Sequence, residues 1–137
     1  MSIFHAYDIR GIYKKEITVE TARQIAEAVA HMFKEGTVVI SYDGRHGSLQ
    51  LAEVVREVFE KKGDKFIIHF TGLATTPMFS YLINSLHAVG GIMITASHNP
   101  PEYTGFKIYG KNAVTISGTD IEKYIQSMNP EIISSIL

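Results

Sequence analysis

Apolar positions along the chain follow two alternating rhythms, one helical and one extended. From Thr18 to Glu35 the residues Val19, Ala22, Ile25, Ala26, Val29, Met32 and Phe33 recur at three- and four-residue steps, while Glu20, Arg23, Gln24 and Glu27 occupy the opposite face. Thr18 is placed to cap this helix and Gly36 to end it. Thr37 to Ser41 is a short, branched apolar run and predicts a buried strand. The turn Asp43-Gly44-Arg45-His46-Gly47-Ser48 leads into a second helix, capped by Ser48 and carrying a core stripe of Leu51, Val54, Val55, Val58 and Phe59 as far as Lys61-Lys62-Gly63. Lys65 to Phe70 predicts the next strand, and Thr76-Pro77, a cap followed by a first-turn proline, opens a helix to about Leu86.

The last third is extended before it is helical. Phe106 to Tyr109 and Ala113 to Ile116 flank Gly110-Lys111-Asn112, a hairpin pattern in which Gly and Asn can take positive φ. Ser117-Gly118-Thr119-Asp120 opens a final helix through Ile121, Tyr124, Ile125 and Met128. Asn129-Pro130 interrupts it, and the apolar tail of Ile132, Ile133, Ile136 and Leu137 suggests a chain cut before its next domain. At the other end, Phe4 to Tyr13 is mixed in pattern, so Arg10 is expected on an irregular or short extended segment just before Gly11. Strands alternating with helices predict an α/β domain with three layers, α/β/α, over residues 1–137.

Candidate chemistry concentrates in residues 90–107. Ile92 to Ile94 is too short and too branched for a helix, and Pro100-Pro101 forbids helical continuation while pushing Asn99 towards an extended backbone. Ser97 therefore sits where a buried strand stops and a stiff loop begins, at the sheet edge where open α/β folds bind ligands. A serine so placed could be an acyl-transfer nucleophile or a phosphoryl carrier. Thr95-Ala96-Ser97-His98-Asn99 lacks the glycines of a nucleophile elbow, and adjacency does not aim His98 at its neighbour's hydroxyl, so the first option fails locally. The second needs a cation and an acid or base nearby.

Composition narrows the partners. A net charge of -1 over 137 residues offers no broad attraction to nucleic acid or acidic membranes, and no apolar run is long enough for a membrane span. Met1 to Arg10 has no signal-peptide character, and the chain reads as soluble and cytoplasmic. The absence of cysteine removes disulfides, thiolate metal sites and cysteine nucleophiles together. His31 reads as a helix-surface residue, and His69 and His87 lack further ligands at metal spacing.

Thr95-Ala96-Ser97-His98-Asn99-Pro100 resembles the active-site loop of the α-D-phosphohexomutases, the phosphomannomutase and phosphoglucomutase family. Phe4-His5-Ala6-Tyr7-Asp8-Ile9-Arg10-Gly11 is similar to that family's amino-terminal signature, Thr76-Pro77 to its Thr-Pro helix start, and Gly105-Phe106-Lys107 to the segment after its serine. The resemblance covers the whole chain but only the first, catalytic-serine domain of the family's four. It implies a mixed, mostly parallel sheet of about four strands plus a hairpin, with one antiparallel strand. It further implies Ser97 as phosphoserine, Arg10 and Lys107 as cations beside the phosphoryl group, Lys107 as general acid/base and His98 as a hydrogen-bonding assistant. Asn99, Tyr7 and Arg45 would support the loop or the substrate. The substrates would be hexose phosphates, the intermediate and activator a hexose 1,6-bisphosphate, and the cofactor Mg2+ bridging the Ser97 phosphate to an aspartate-rich loop in a later domain. That loop has no counterpart here, since Asp8, Asp43, Asp64 and Asp120 include no Asp-x-Asp pair. Where the family usually has Gly-x-Asp-x-Arg-x-Ser-Ser, this chain keeps Asp43, Arg45 and Ser48 but has Ser41 for the glycine and Gly47 for the first serine. No catalytic role is assigned to His46 or Gly47. Two readings remain open: a mutase domain that turns over with its partner domains, and a non-catalytic phosphate-binding or interaction module on the same scaffold.

Overall fold

In the computed structural model residues 2–128 are described, and the apolar tail lies outside them. The expected helical stripe forms α1, Val19–Phe33, with the Thr18 hydroxyl accepting from the backbone of Thr21. Its end comes earlier than Gly36: Lys34 takes a positive φ of 69°, and Gly36 instead begins strand β2, Gly36–Tyr42. Helix α2, Ser48–Glu60, follows, and here the cap differs from expectation. Gly47 is the cap, in the left-handed conformation, while the Ser48 hydroxyl donates to Asp43 Oδ1 at 2.7 Å. Ser48 thus lies inside the first helical turn, and its hydroxyl serves Asp43 as a donor and does not accept from the helix's first amides.

Strand β3, Phe66–Leu73, leads to α3, Thr76–Ser85, whose cap is Thr75 rather than Thr76. Strands β4, Gly90–Ile94, and β5, Tyr103–Gly110, complete the core, with β6, Thr115–Ile116, and α4, Gly118–Met128, after them. Between β5 and β6 the turn is a short 3-10 segment, Lys111–Ala113; Asn112 takes positive φ as expected, and Ala113 rather than Gly110 is its partner in doing so.

The sequence segment of mixed pattern contributes a strand of its own, β1, Ile9–Ile12. The six strands form one sheet in the order β1-β5-β4-β2-β3, with β6 beside β5. β2 pairs in parallel with β3 and β4, whereas β5 runs antiparallel to β4, β1 and β6, so it is the single reversed strand. Period-two alternation then divides the sheet's side chains between two cores. Ile9, Val38, Ile40, Ile92, Ile94, Phe106 and Ile108 pack under α1, α2 and α4. Val39 and Met93 pack under α3, against Phe79 and Ile83. Gly91 makes the second contact close: a Cβ there would meet the Phe79 ring at 2.6 Å. Helices on both faces make three layers, and β4 lies centrally with its carboxyl end bearing the Ser97 loop.

Candidate active site

The four strands β1 to β4 share a direction, so the carboxyl ends of β2, β3 and β4 and their loops meet at one edge. Two backbone bonds tie that edge together: Asp43 N–H donates to the Ile94 carbonyl at 3.1 Å and Ala74 N–H to the Tyr42 carbonyl at 2.9 Å. Between the loops opens a cleft of about 980 Å3, whose walls include Asp43, the α3 start at Thr75 to Met78, Ser97, His98 and Lys107. The amino end of α3 carries the positive end of its dipole to this wall, which favours an anion in the cleft.

Ser97 leaves β4 in an uncommon backbone state, with φ of 54°. For a residue with a Cβ this left-handed geometry costs roughly 1–2 kcal/mol. Its surroundings supply more than that. The Ser97 N–H donates to Thr95 Oγ1 at 3.0 Å, and the Asn99 N–H and Nδ2–H both donate to the Ala96 carbonyl, at 3.0 and 2.7 Å. Arg45 donates from Nη2 to the carbonyls of Ser97 and Asn99, at 2.5 and 2.7 Å, and from Nη1 to those of Pro100 and Tyr103, at 2.8 and 3.1 Å. Bonds from a charged donor contribute about 1.5–3 kcal/mol each, so two suffice to hold the serine where it is. The hydroxyl-bearing residue is itself exposed while Thr95 and Ala96 below it are buried.

Lys107 arrives from the neighbouring strand. It pairs with Met93, while the Gly105 carbonyl accepts from Thr95 N–H at 2.9 Å, so β5 runs alongside the β4 end and carries Lys107 on the α3 face. Arg10 pairs with Gly105, placing it on that same face one strand further out. Gly105 is required there: a Cβ would lie 1.9 Å from the Ile9 carbonyl oxygen and 2.9 Å from Arg10 Cβ. Arg10 does not line the cleft; its Nη1 stands 3.6 Å from Oδ1 of the buried Asp8.

The structure thus brings Ser97, His98 and Lys107 together at one cleft, leaves Arg10 beside it, and gives Asn99 and Arg45 contacts with the loop backbone. Tyr7 stands apart, 81% exposed and outside the cleft wall. Asp43 emerges as a hub that the sequence marked only through a motif: its Oδ1 accepts from Arg45 N–H and Ser48 Oγ, and its Oδ2 lies 3.5 Å from Arg45 Nε. Thr95 was also missed, although a threonine two residues before a turn residue is a readable local pattern. Among the described residues no group of three or more histidine or acidic side chains converges to hold a metal ion, and no helix is long and apolar enough to cross a membrane.

Residues 1–132 match the family model of phosphoglucomutase/phosphomannomutase, alpha/beta/alpha domain I. A phosphomannomutase of Methanocaldococcus jannaschii is 33% identical over 117 residues, which are 85% of this chain and 25% of that protein. A phosphoglucosamine mutase of Prochlorococcus marinus is 37% identical over 126 residues, 91% of this chain and 27% of that one. In three dimensions a candidate phosphomannomutase of Thermus thermophilus superposes with a TM-score of 0.80 at 31% identity, over 96% of this chain and 31% of its own. The chain spans less than a third of the length of each of these relatives.

Proposed function

The chain belongs to the phosphoglucomutase/phosphomannomutase family, as its domain I, and from that premise we propose that it is the phosphoryl-carrying domain of a phosphohexomutase interconverting hexose 1-phosphates and hexose 6-phosphates. The observation that carries this reading is Ser97, pinned in a left-handed turn at the end of the central strand, on one cleft with Lys107 and His98. In the first half-reaction the bond between Ser97 Oγ and phosphorus breaks as a bond forms from phosphorus to a sugar hydroxyl oxygen. The hydroxyl proton is relayed through Lys107 to the departing Ser97 Oγ, so a neutral serine hydroxyl remains. A hexose 1,6-bisphosphate results, and after it turns over, its other phosphoryl group returns to Ser97 Oγ, the serine proton passing through Lys107 to the departing sugar oxygen. Arg10 supplies positive charge beside the transfer, and His98 a hydrogen bond. Positioning and charge account for most of the acceleration in such transfers.

Mg2+, which the family implies, would neutralise charge on the serine phosphate. The described residues of this chain do not form a complete site for it: Asp43, the acidic group on the cleft wall, is already engaged by Arg45 and Ser48. Relatives named for mannose and for glucosamine resemble this domain at 33% and 37% identity, so the substrate is assigned as a class, hexose phosphates.

The test uses the full-length protein. Intact mass is expected to show one phosphate on Ser97 after incubation with a hexose bisphosphate, and none on Ser97→Ala, which also loses turnover. Lys107→Met is expected to lower kcat by about a hundred- to ten-thousand-fold with KM little changed. Phosphate persisting at full stoichiometry on Ser97→Ala would place the carrier elsewhere.

A further inference from the structure

We propose that Arg45 is a positioning residue for phosphoryl transfer, acting through the backbone that carries Ser97; this rests on the mutase reading above. Carbonyl oxygens of Ser97, Asn99, Pro100 and Tyr103 converge on the one guanidinium, at 2.5 to 3.1 Å. Four carbonyl dipoles facing a common centre repel one another unless a cation lies between them. The loop's shape is thus conditional on Arg45, which is supplied by the segment after β2 and not by the loop itself. Arg45 is aimed in turn from behind. Asp43 holds its backbone N–H through Oδ1 and its Nε through Oδ2, and the Ser48 hydroxyl fixes that carboxylate in place. The Arg45 side chain is 16% exposed, so its donors are committed to the loop and not to a ligand in open solvent.

Two chemical features separate this role from ordinary stabilisation. The planar fork serves pairs of carbonyls from Nη1 and Nη2, a pattern that the single ammonium of lysine does not reproduce. And the residue whose carbonyl receives the shortest of the four bonds is Ser97, the one held at φ of 54°. Loss of the clamp therefore releases the left-handed turn under the phosphoryl-accepting hydroxyl, while the cleft wall formed by α3 and Lys107 is left intact. Substrate binding and transfer should part company.

The experiment compares Arg45→Ala, Arg45→Lys and Ser97→Ala in the full-length enzyme. Arg45→Ala is expected to lower kcat, and the rate at which Ser97 takes phosphate from glucose 1,6-bisphosphate, by about a hundredfold, the usual cost of a misplacement near 1 Å. KM should stay within about threefold, the mark of an interaction expressed in the transfer step. Guanidinium at a non-denaturing concentration should restore Arg45→Ala at least partly where methylammonium does not, and Arg45→Lys should resemble the alanine variant. Independently of activity, amide exchange at residues 97–99 should quicken in Arg45→Ala while β2 and β4 keep their protection. Wild-type kcat in Arg45→Ala, recovery in Arg45→Lys, or unchanged exchange at 97–99 would each overturn the proposal. If Ser97→Ala retains full turnover, the mutase reading fails instead, and the exchange measurement still decides whether Arg45 fixes the loop.

Discussion

A serine in left-handed backbone is a local cost, and that cost makes a stability prediction. Glycine carries no Cβ to collide with its own carbonyl, so Ser97→Gly recovers roughly 1–2 kcal/mol of strain and gives back about 0.5–1 kcal/mol to the freer unfolded chain. Urea denaturation of the chain should therefore find Ser97→Gly as stable as wild type or up to about 1.5 kcal/mol more so, and Ser97→Val, branched at Cβ, less stable than wild type. A glycine variant clearly less stable than wild type would mean that the serine side chain, and not the backbone around it, holds the turn. Such a trade, stability given up at the residue proposed to carry the phosphoryl group, is common at functional sites. The stiffness of this loop was legible from Pro100-Pro101, and Ser97's place at the strand end from the short run Ile92 to Ile94. Its handedness was not. Besides the local bonds of Thr95 and Asn99, it involves a guanidinium 52 residues away in sequence, and no window short enough to read as a motif contains both partners.

Among elements, α3 matters most to the cleft because its first turn forms a wall of it. Two adjacent threonines compete for its cap, and the structure chooses Thr75, whose hydroxyl accepts from Met78 N–H at 3.3 Å. Thr75→Ala should therefore cost about 1 kcal/mol, measured as a lowered urea midpoint at unchanged slope. Thr76→Ala, in the first helical turn, should cost less. Equal losses would mean the cap bond is not what anchors this end. The one-residue ambiguity shows the limit of sequence reading at helix ends: Pro77 tolerates either of the first helical positions, so Thr-Pro marks a start without fixing its phase. Ser48 misses the cap by one residue as well, since left-handed Gly47 takes that position and the Ser48 hydroxyl donates to Asp43, a side-chain bond that periodicity does not encode. Strand β1 was equally hard to read. Its Ile9 to Ile12 run is only four residues long and owes its place to a partner, β5, nearly a hundred residues later, against which Gly105 alone permits the approach.

At the scale of the whole molecule the two sheet faces are unequal, and so are the tasks this chain can perform alone. One face is covered by α1, α2 and α4 over a continuous core from Ile3 to Ile125, which supplies the burial a domain of this size needs. The other carries α3, and the rim of its cleft is apolar and open, with Leu73 65% and Met78 51% exposed. An open cleft would leave a phosphoryl group on Ser97 facing water, and among the described residues no cluster of acidic or histidine side chains stands there to hold a metal ion. Transfer to a sugar depends on holding the acceptor within reach and excluding water as a competitor. The 137-residue chain is therefore expected to melt cooperatively, with one transition seen alike by near- and far-ultraviolet circular dichroism. In a coupled assay with glucose 1-phosphate, mannose 1-phosphate, Mg2+ and glucose 1,6-bisphosphate it is expected to show no turnover above the Ser97→Ala background. Adding back the remaining portion of a relative, which makes up more than two thirds of such proteins, should restore turnover to a covalent fusion. Sustained turnover by the chain alone, lost in Ser97→Ala, would show that this domain builds a complete site by itself or by self-association, and the dependence of the rate on protein concentration would separate those two cases.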